Sequence, residues 1–302
     1  MTDVLIIGGG PAGMTAAIYA RRAGKSVTVL EAEICGGQIV NTPEIENYPA
    51  KPHISGLDFA DALQAQAEEL GAEFVYERAV GIETEGGAKV VVTEEKRYPA
   101  RSVILATGSE NRKLGLPHEA RLTGKGISYC ATCDGSFFKN RVVAVAGGGN
   151  TALEDALFMA DIAKTVYLIH RRGAFRGDQK TVEKLKEKPN VVFLYNRRVS
   201  ALLGEDRLSG VELTDTQDGS VSILELGGLF VAIGRIPENQ NFADAVQLDA
   251  EGYVLAGEDC HTSAEGIFVA GDNRVKVLRQ LVTATADGAM AATEAVKYLN
   301  SL

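Results

Sequence analysis

The sequence predicts an α/β chain in which one β-α-β unit occurs twice, the second copy inserted into a discontinuous first. Three observations carry that expectation. An apolar run leads into a glycine cluster twice, at Gly8-Gly9-Gly10-Pro11-Ala12-Gly13 and at Gly147-Gly148-Gly149-Asn150-Thr151-Ala152. Laying Gly8 on Gly147 puts Gly10 on Gly149, Gly13 on Ala152, Val27 on Val166 and Glu31 on His170 without a gap. Three late apolar strands end in glycine, one more than two units would use.

Each element follows from local pattern. Val4-Leu5-Ile6-Ile7 is a short apolar, β-branched run ending in glycine, the signature of a buried parallel strand. Ala12 to Ala23 reads as a helix, with Met14, Ala17, Ile18 and Arg21 at helical spacing and Gly24 to stop it. Ser26 to Leu30 is the next strand, closed by Glu31, and Asp58 to Leu70 reads as a further amphipathic helix. The second copy runs Val142 to Val145 as strand, Thr151 to Ile162 as helix and Thr165 to Ile169 as strand.

The late strands lead into Ala106-Thr107-Gly108, into Ile233-Gly234 and into Gly271-Asp272. Their number places residues 112–240 inside a first domain made of 1–111 and 241–302. The polar stretches Glu110 to Gly115 and Arg235 to Gln240 are the expected linkers.

Bulk composition narrows the function. At 302 residues, 45% hydrophobic and 24% charged, the chain suits two ordinary globular domains. A net charge of −9 argues against nucleic acid and against an anionic membrane surface, because both need clustered cations. No apolar run reaches the ~20 residues needed to span a bilayer. No basic leader precedes Val4, so the cytoplasm is the expected compartment.

In a GxGxxG loop the first glycine permits the turn, the second admits a pyrophosphate and the third lets helix pack on strand. Phosphate then meets free N–H groups at a helix N-terminus. Gly8, Gly10 and Gly13 follow a strand, open a helix and are followed by Glu31, whose carboxylate suits ribose hydroxyls. Two Rossmann-like, three-layer ββα dinucleotide-binding domains are therefore expected. In the second copy the acidic position is His170, followed by Arg171, Arg172 and Arg176. Arginines bind a 2′-phosphate that a carboxylate would repel, which points to NADP. Ala152 replaces the third glycine, a variant this fingerprint accepts.

Four cysteines are present: Cys35, Cys130, Cys133 and Cys260. The Cys130-Ala131-Thr132-Cys133 spacing is open to a redox dithiol, a structural pair or half of a zinc site. Scattered histidines and the absence of a second CxxC argue against metal. Asp134 is placed to relay protons or simply to start a helix. Cys35 and Cys260 receive no chemistry.

Taken together these motifs resemble the bacterial-type, low-molecular-weight thioredoxin reductase family, part of the class II pyridine nucleotide-disulfide oxidoreductases. The resemblance covers essentially the whole chain. It rests on the two glycine loops, Gly36-Gly37-Gln38, Glu46-Asn47-Tyr48-Pro49, Ala106-Thr107-Gly108, Cys130 to Asp134, His170-Arg171-Arg172 with Arg176, Gly271-Asp272 and Arg279-Gln280. It implies a homodimeric flavoenzyme that reduces thioredoxin with NADPH.

FAD would be held by Gly8, Gly10, Pro11, Ala12, Gly13, Glu31, Gly36, Gly37, Gln38, Asn47, Ala106, Thr107, Gly108, Gly271, Asp272, Arg279, Gln280 and Leu281. NADPH would be held by Gly147, Gly149, Asn150, Thr151, His170, Arg171, Arg172, Arg176, Ile233 and Gly234. Cys133 would be the flavin-facing sulfur, Cys130 the attacker of the thioredoxin disulfide and Asp134 the proton donor. Rotation of the inserted domain about its linkers would serve both half-reactions. Relatives that use ferredoxin or act as dithiol oxidases lack the second glycine motif and the paired arginines, both of which this chain keeps. A non-catalytic dinucleotide sensor is the remaining alternative.

Overall fold

A computed structural model describes every residue except Pro43 and Pro52, and divides the chain into two compact units, 1–110 with 236–302 and 111–235. The first begins with β1 (Thr2–Ile7), α1 (Pro11–Arg22), β2 (Val27–Glu31), α2 (Gly56–Glu69) and β3 (Glu73–Tyr76). A meander follows, β4 (Ala79–Glu85), β5 (Ala88–Thr93) and β6 (Arg97–Leu105), and β7 (Ser109–Asn111) leads out. Pro11 sits in the first turn of α1, where its missing N–H costs nothing. Ser55 caps α2 by accepting the Asp58 N–H.

The second unit contains α3 (Glu119–Leu122), β8 (Ile127–Ser128), α4 (Ala131–Asp134), β9 (Val142–Gly147), α5 (Asn150–Ala160) and β10 (Thr165–His170). It continues with α6 (Gln179–Lys186), β11 (Val191–Tyr195), the meander β12 (Arg197–Leu203), β13 (Gly210–Asp215) and β14 (Val221–Glu225), then β15 (Gly228–Ala232) and β16 (Arg235–Pro237). The chain closes the first unit with β17 (Ile267–Val269) and α7 (Leu281–Ser301). The two crossover segments, β7 and β16, run side by side as a two-stranded sheet.

Period-two alternation builds three layers in each unit. In β1, Val4 and Ile6 join the helical side with Ala16, Ala17 and Ala20 of α1 and Ala291, Ala292 and Ala295 of α7. Leu5 and Ile7 face the other way, onto Val91, Ala100 and Phe242. In β9, Val143 and Val145 pack with α5, whereas Ala144 and Ala146 pack with Val199, Val211 and Leu213 of the second meander. Each such apolar side chain, fully buried, contributes about 1.5–3 kcal/mol for the larger types.

The first unit's parallel strands run β3-β2-β1-β6, with β17 added along the late half of β6 (Ile267↔Val103) and β5 along its early half (Lys89↔Ala100). The second unit's sheet runs β11-β10-β9-β15-β8, all neighbours parallel. Both glycine loops therefore leave the carboxyl edge of a central strand, where open α/β sheets bind ligands. Alanine-rich helix faces let α1 and α7 approach closely. A Cβ on Gly288 would stand 2.1 Å from the Ala12 carbonyl oxygen.

Candidate functional site

The glycines of the first loop are explained unequally by the protein around them. A Cβ on Gly8 would lie 2.3 Å from the Ala106 oxygen, and one on Gly13 would lie 1.9 Å from the Gly8 oxygen. Those two are needed for packing. Gly10, at the cap of α1, has nothing within 4 Å of its missing Cβ. No neighbour in the protein requires glycine there, so the open space before the helix fits a nucleotide pyrophosphate.

The other candidate flavin residues of this unit gather on the same edge. Glu31, ending β2, accepts the Gly9 N–H at 2.7 Å through Oε2 and the Glu33 N–H at 2.9 Å through Oε1. The Gly36 N–H donates to the Gly9 oxygen at 2.8 Å, and a Cβ on Gly37 would lie 3.6 Å from the Gly10 Cα. Gln38 is exposed in the turn that follows. Ala106, Thr107 and Gly108 leave β6 beside Gly8, the Ala106 N–H donating to the Ile7 oxygen at 2.8 Å. Gly271 follows β17, and a Cβ there would lie 2.9 Å from the Ala12 side chain. That places Gly271-Asp272 over the start of α1.

Asn47 donates to the Gln280 Oε1 at 3.1 Å, and Gln280 caps α7 just before Leu281. Arg279 is less available. Its guanidinium donates to the backbone oxygens of Asp272, Arg274 and Lys276 and lies over the Tyr253 ring at 4.2 Å, so it braces the segment that carries Asp272.

Two features of this unit give no sign in the sequence. Asp287 is buried and accepts from the Gly271 N–H, Arg274 Nε and Lys276 Nζ, at 3.0, 2.8 and 2.8 Å. Burial alone would raise its pKa; hydrogen bonds from Arg274 and Lys276 outweigh it and hold the carboxyl below its ordinary range. Thr107, Asn239 and Asn273 form a second buried network, Asn273 Nδ2 donating to Thr107 Oγ1 at 3.0 Å and Thr107 Oγ1 to Asn239 Oδ1 at 3.1 Å.

The second unit repeats the glycine logic. A Cβ on Gly147 would lie 2.3 Å from the Ala232 oxygen, while Gly149, capping α5, again has nothing within 4 Å. Asn150 and Thr151 are exposed at the start of α5. Asn150 Oδ1 accepts the Asp178 N–H at 2.8 Å, and the Gly148 oxygen accepts the Arg176 N–H at 2.8 Å. These bonds strap the basic loop around the glycine loop. Ile233 and Gly234 follow β15, and the Gly234 oxygen accepts the Arg112 N–H at 2.9 Å.

Arg171, Arg172 and Arg176 are exposed, and their guanidinium groups form no ion pair among the described residues. His170 is placed differently. Its ring is buried, stacks on Phe175 at 5.2 Å between centroids and fills the space where a Gly148 Cβ would lie 2.1 Å away. Burial, reinforced by the charge of Arg176, Arg172 and Arg171, lowers its pKa and keeps it neutral. The three arginines thus form an uncompensated cationic loop, with the histidine serving as its packed base.

Cys130 and Cys133 form a disulfide with Cα atoms 5.3 Å apart. It follows β8, next to β15, on the same carboxyl edge as the second glycine loop. Asp134 closes α4, its N–H donating to the Cys130 oxygen at 3.1 Å. Ser128 Oγ donates to Asp134 Oδ2 at 2.6 Å and accepts the Cys130 N–H at 3.0 Å. Tyr129 donates to Glu119 at 2.8 Å, and the same carboxylate accepts the Leu114 and Gly115 N–H groups. Cys35 and Cys260 are buried thiols, pushed up by burial to about 11 and about 12, so neither is a nucleophile at neutral pH.

Comparison with known proteins agrees in scope with this geometry. The pyridine nucleotide-disulphide oxidoreductase profile matches residues 2–288. The thioredoxin reductase of Listeria monocytogenes is 42% identical over 301 residues, covering 99% of this chain and 94% of that protein. That of Peptoclostridium acidaminophilum is 42% identical over 306 residues, covering 99% and 97%. The crystal structure of the Streptococcus pyogenes thioredoxin reductase superposes with a TM-score of 0.95 at 40% identity, covering 100% of this chain and 99% of that one.

Proposed function

The chain belongs to the pyridine nucleotide-disulphide oxidoreductase family, among its thioredoxin reductases, and from that premise we propose that it reduces thioredoxin with NADPH through FAD and the Cys130–Cys133 disulfide. One observation carries the reading: the disulfide sits on the carboxyl edge of the sheet that also carries the second glycine loop and its free arginines. Family membership gives a flavin and a nicotinamide nucleotide. The assignment of FAD to the first unit is supported by the open space at Gly10 and by Glu31. The assignment of NADPH to the second is supported by Gly149 and by Arg171, Arg172 and Arg176. When bound, these cofactors supply a hydride and pass its electron pair to the disulfide.

The protein's own groups account for the rest. In the reduced pair, Cys130 is the thiolate, its proton stored on Asp134, and Cys133 remains a thiol. Cys130 attacks one sulfur of the thioredoxin disulfide, forming a mixed disulfide and expelling a thiolate. Asp134 protonates that leaving sulfur and becomes a carboxylate. It then takes the Cys133 proton, Cys133 attacks the mixed disulfide, and the second thioredoxin sulfur leaves with the proton from Asp134. One disulfide has formed, one has broken, and two protons have moved to thioredoxin.

On this reading the inserted unit turns about the segments 110–115 and 235–240 to present disulfide and nucleotide site in turn. The enzyme acts as a homodimer in the cytoplasm, a setting that suits its two free buried thiols. No helix among the described residues is long and apolar enough to cross a membrane.

The test is anaerobic mixing with NADPH, followed by addition of thioredoxin. Wild type should bleach its flavin and then reduce thioredoxin. Cys130→Ser and Cys133→Ser should still bleach but lose thioredoxin reduction by at least about 1,000-fold. Thioredoxin reduction by either serine variant at the wild-type rate would sink the proposal.

A further inference from the structure

We propose that Ser128 is a positioning residue that holds the Asp134 carboxyl in one place through both of its protonation states, so that proton exchange with the dithiol involves no movement of heavy atoms. This rests on the reading of Asp134 as the proton carrier. Ser128 ends β8 two residues before Cys130 and is 4% exposed. Its position along the strand is set by parallel pairing, Phe230 of β15 being its partner.

Three contacts of one oxygen make the argument. Ser128 Oγ accepts the Cys130 N–H at 3.0 Å. It lies 2.6 Å from Asp134 Oδ2 and 3.3 Å from the Cys130 carbonyl oxygen. A hydroxyl has one proton and two lone pairs, and its proton can rotate. With Asp134 ionised, the proton points to Oδ2, and 2.6 Å is the length of a charge-assisted O–H···O⁻ bond. With Asp134 protonated, the carboxyl donates to Oγ, whose own proton turns to the Cys130 oxygen. The Cys130 N–H donates to Oγ in both states. Either way the donors stay paired, and only a hydroxyl rotor turns.

The mechanism uses both states of Asp134 twice in every turnover. A carboxyl tied to a group that can only donate would resist protonation; one tied to a group that can only accept would resist ionisation. Serine can do both. The same bond also links Asp134 to the backbone of Cys130, so the proton carrier keeps its distance from the attacking sulfur while the disulfide opens and closes.

The experiment compares wild type, Ser128→Ala, Ser128→Thr and Asp134→Asn as holoenzymes. The ionised carboxyl loses the stronger bond when the hydroxyl is removed, so the Asp134 titration should move up. In Ser128→Ala, the infrared band of protonated Asp134, assigned by its loss in Asp134→Asn, should titrate about 0.5–1 pH unit higher in the oxidised protein. The bell-shaped kcat profile for thioredoxin should shift the same way. Near pH 7 kcat should fall by about tenfold, with the KM for thioredoxin changed less than about twofold.

Ser128→Thr keeps the hydroxyl and should keep the wild-type midpoints even if its added methyl lowers the folded fraction, because a midpoint does not depend on amplitude. Equal losses of kcat in Ala and Thr variants with unmoved midpoints would overturn the proposal and reduce Ser128 to a packing residue. So would a Ser128→Ala enzyme with wild-type kcat and titration. Full activity in Asp134→Asn would instead refute the proton-carrier reading itself.

Discussion

The two β-α-β copies share a scaffold and part in chemistry at the end of the second strand. Gly8 and Gly147 each bring a strand end within contact of a neighbouring carbonyl, and a Cβ on either would meet it at 2.3 Å. Gly10 and Gly149 each leave open space at a helix cap. After the second strand the copies part. Glu31 reaches back as a carboxylate to the Gly9 N–H. His170 reaches back as a neutral ring against Gly148 and leaves charge to the arginines beyond it. In one copy a single residue fastens the loop and carries the charge. In the other those two tasks are divided, which frees the exposed loop to become cationic without burying a cation.

Removing the cationic loop should break the contrast most severely. Arg171→Ala, Arg172→Ala and Arg176→Ala combined should lower kcat/KM for NADPH by about 100- to 1,000-fold, since two or three charge-assisted bonds of about 1.5–3 kcal/mol each are lost only partly additively. NADH should change by less than about threefold. Parallel losses for both nucleotides would show that the loop does not read the 2′-phosphate.

Next come the glycines. Gly10→Val should weaken flavin retention, and Gly149→Val should raise the KM for NADPH, each by about 10- to 100-fold, while thermal unfolding shifts little. Gly147→Val should instead fail to fold, because its side chain would overlap the Ala232 carbonyl. Equal instability in all three would mean that the open caps are packing features.

The fasteners themselves should differ in energy. His170→Ala opens a cavity beside Phe175 and should cost about 2–4 kcal/mol in the second unit, read by hydrogen exchange of β9 and β10. Glu31→Ala removes two part-exposed hydrogen bonds and should cost about 1–2 kcal/mol. The reverse order would contradict the division of tasks.

The smallest effect is pH dependence. The folded-state pKa of His170 lies below its unfolded value near 6.5, so the unfolded chain binds the proton more readily. The histidine's contribution is fully present above about pH 6.5 and is lost as pH falls toward the folded pKa. His170→Phe should flatten this acid-side loss of stability, read as a smaller fall in the thermal unfolding midpoint between pH 7 and pH 5. An unchanged acid limb would mean that the fold does not disfavour the protonated form of His170.

How much of this was legible beforehand depended on how local the signal was. The central strands showed themselves because residues such as Val4 to Ile7 are apolar on both faces, and the glycine loops because their spacing is short and fixed. The antiparallel meanders were missed: β14 is largely exposed, β4 buries only Ala79 fully, and both alternate weakly. Helix α7 was missed because its buried face is Asp287, Gly288 and three alanines, with Leu299 the one large apolar residue, which leaves no apolar stripe. In the site, cysteines and arginines announced themselves by type. Ser128, Glu119 and Asp287 did not, since an ordinary serine or carboxylate acquires its role only from what the fold sets opposite it. The sequence grouped His170 with its charged neighbours; the signal for its packing was Gly148, a glycine without a turn of its own to explain it.

The long interruption of the first unit has a consequence for biosynthesis. Its β6 waits for β17, and α1 waits for α7, across an intervening stretch that can complete its own sheet. As the chain emerges from a ribosome, the inserted unit has all its strands by Arg235, whereas the first unit has exposed edges until residues 267–301 appear. The later half of the sequence should therefore decide whether the earlier half survives, and truncation within α7 should damage the N-terminal strands more than the unit that lies nearer to the cut in sequence.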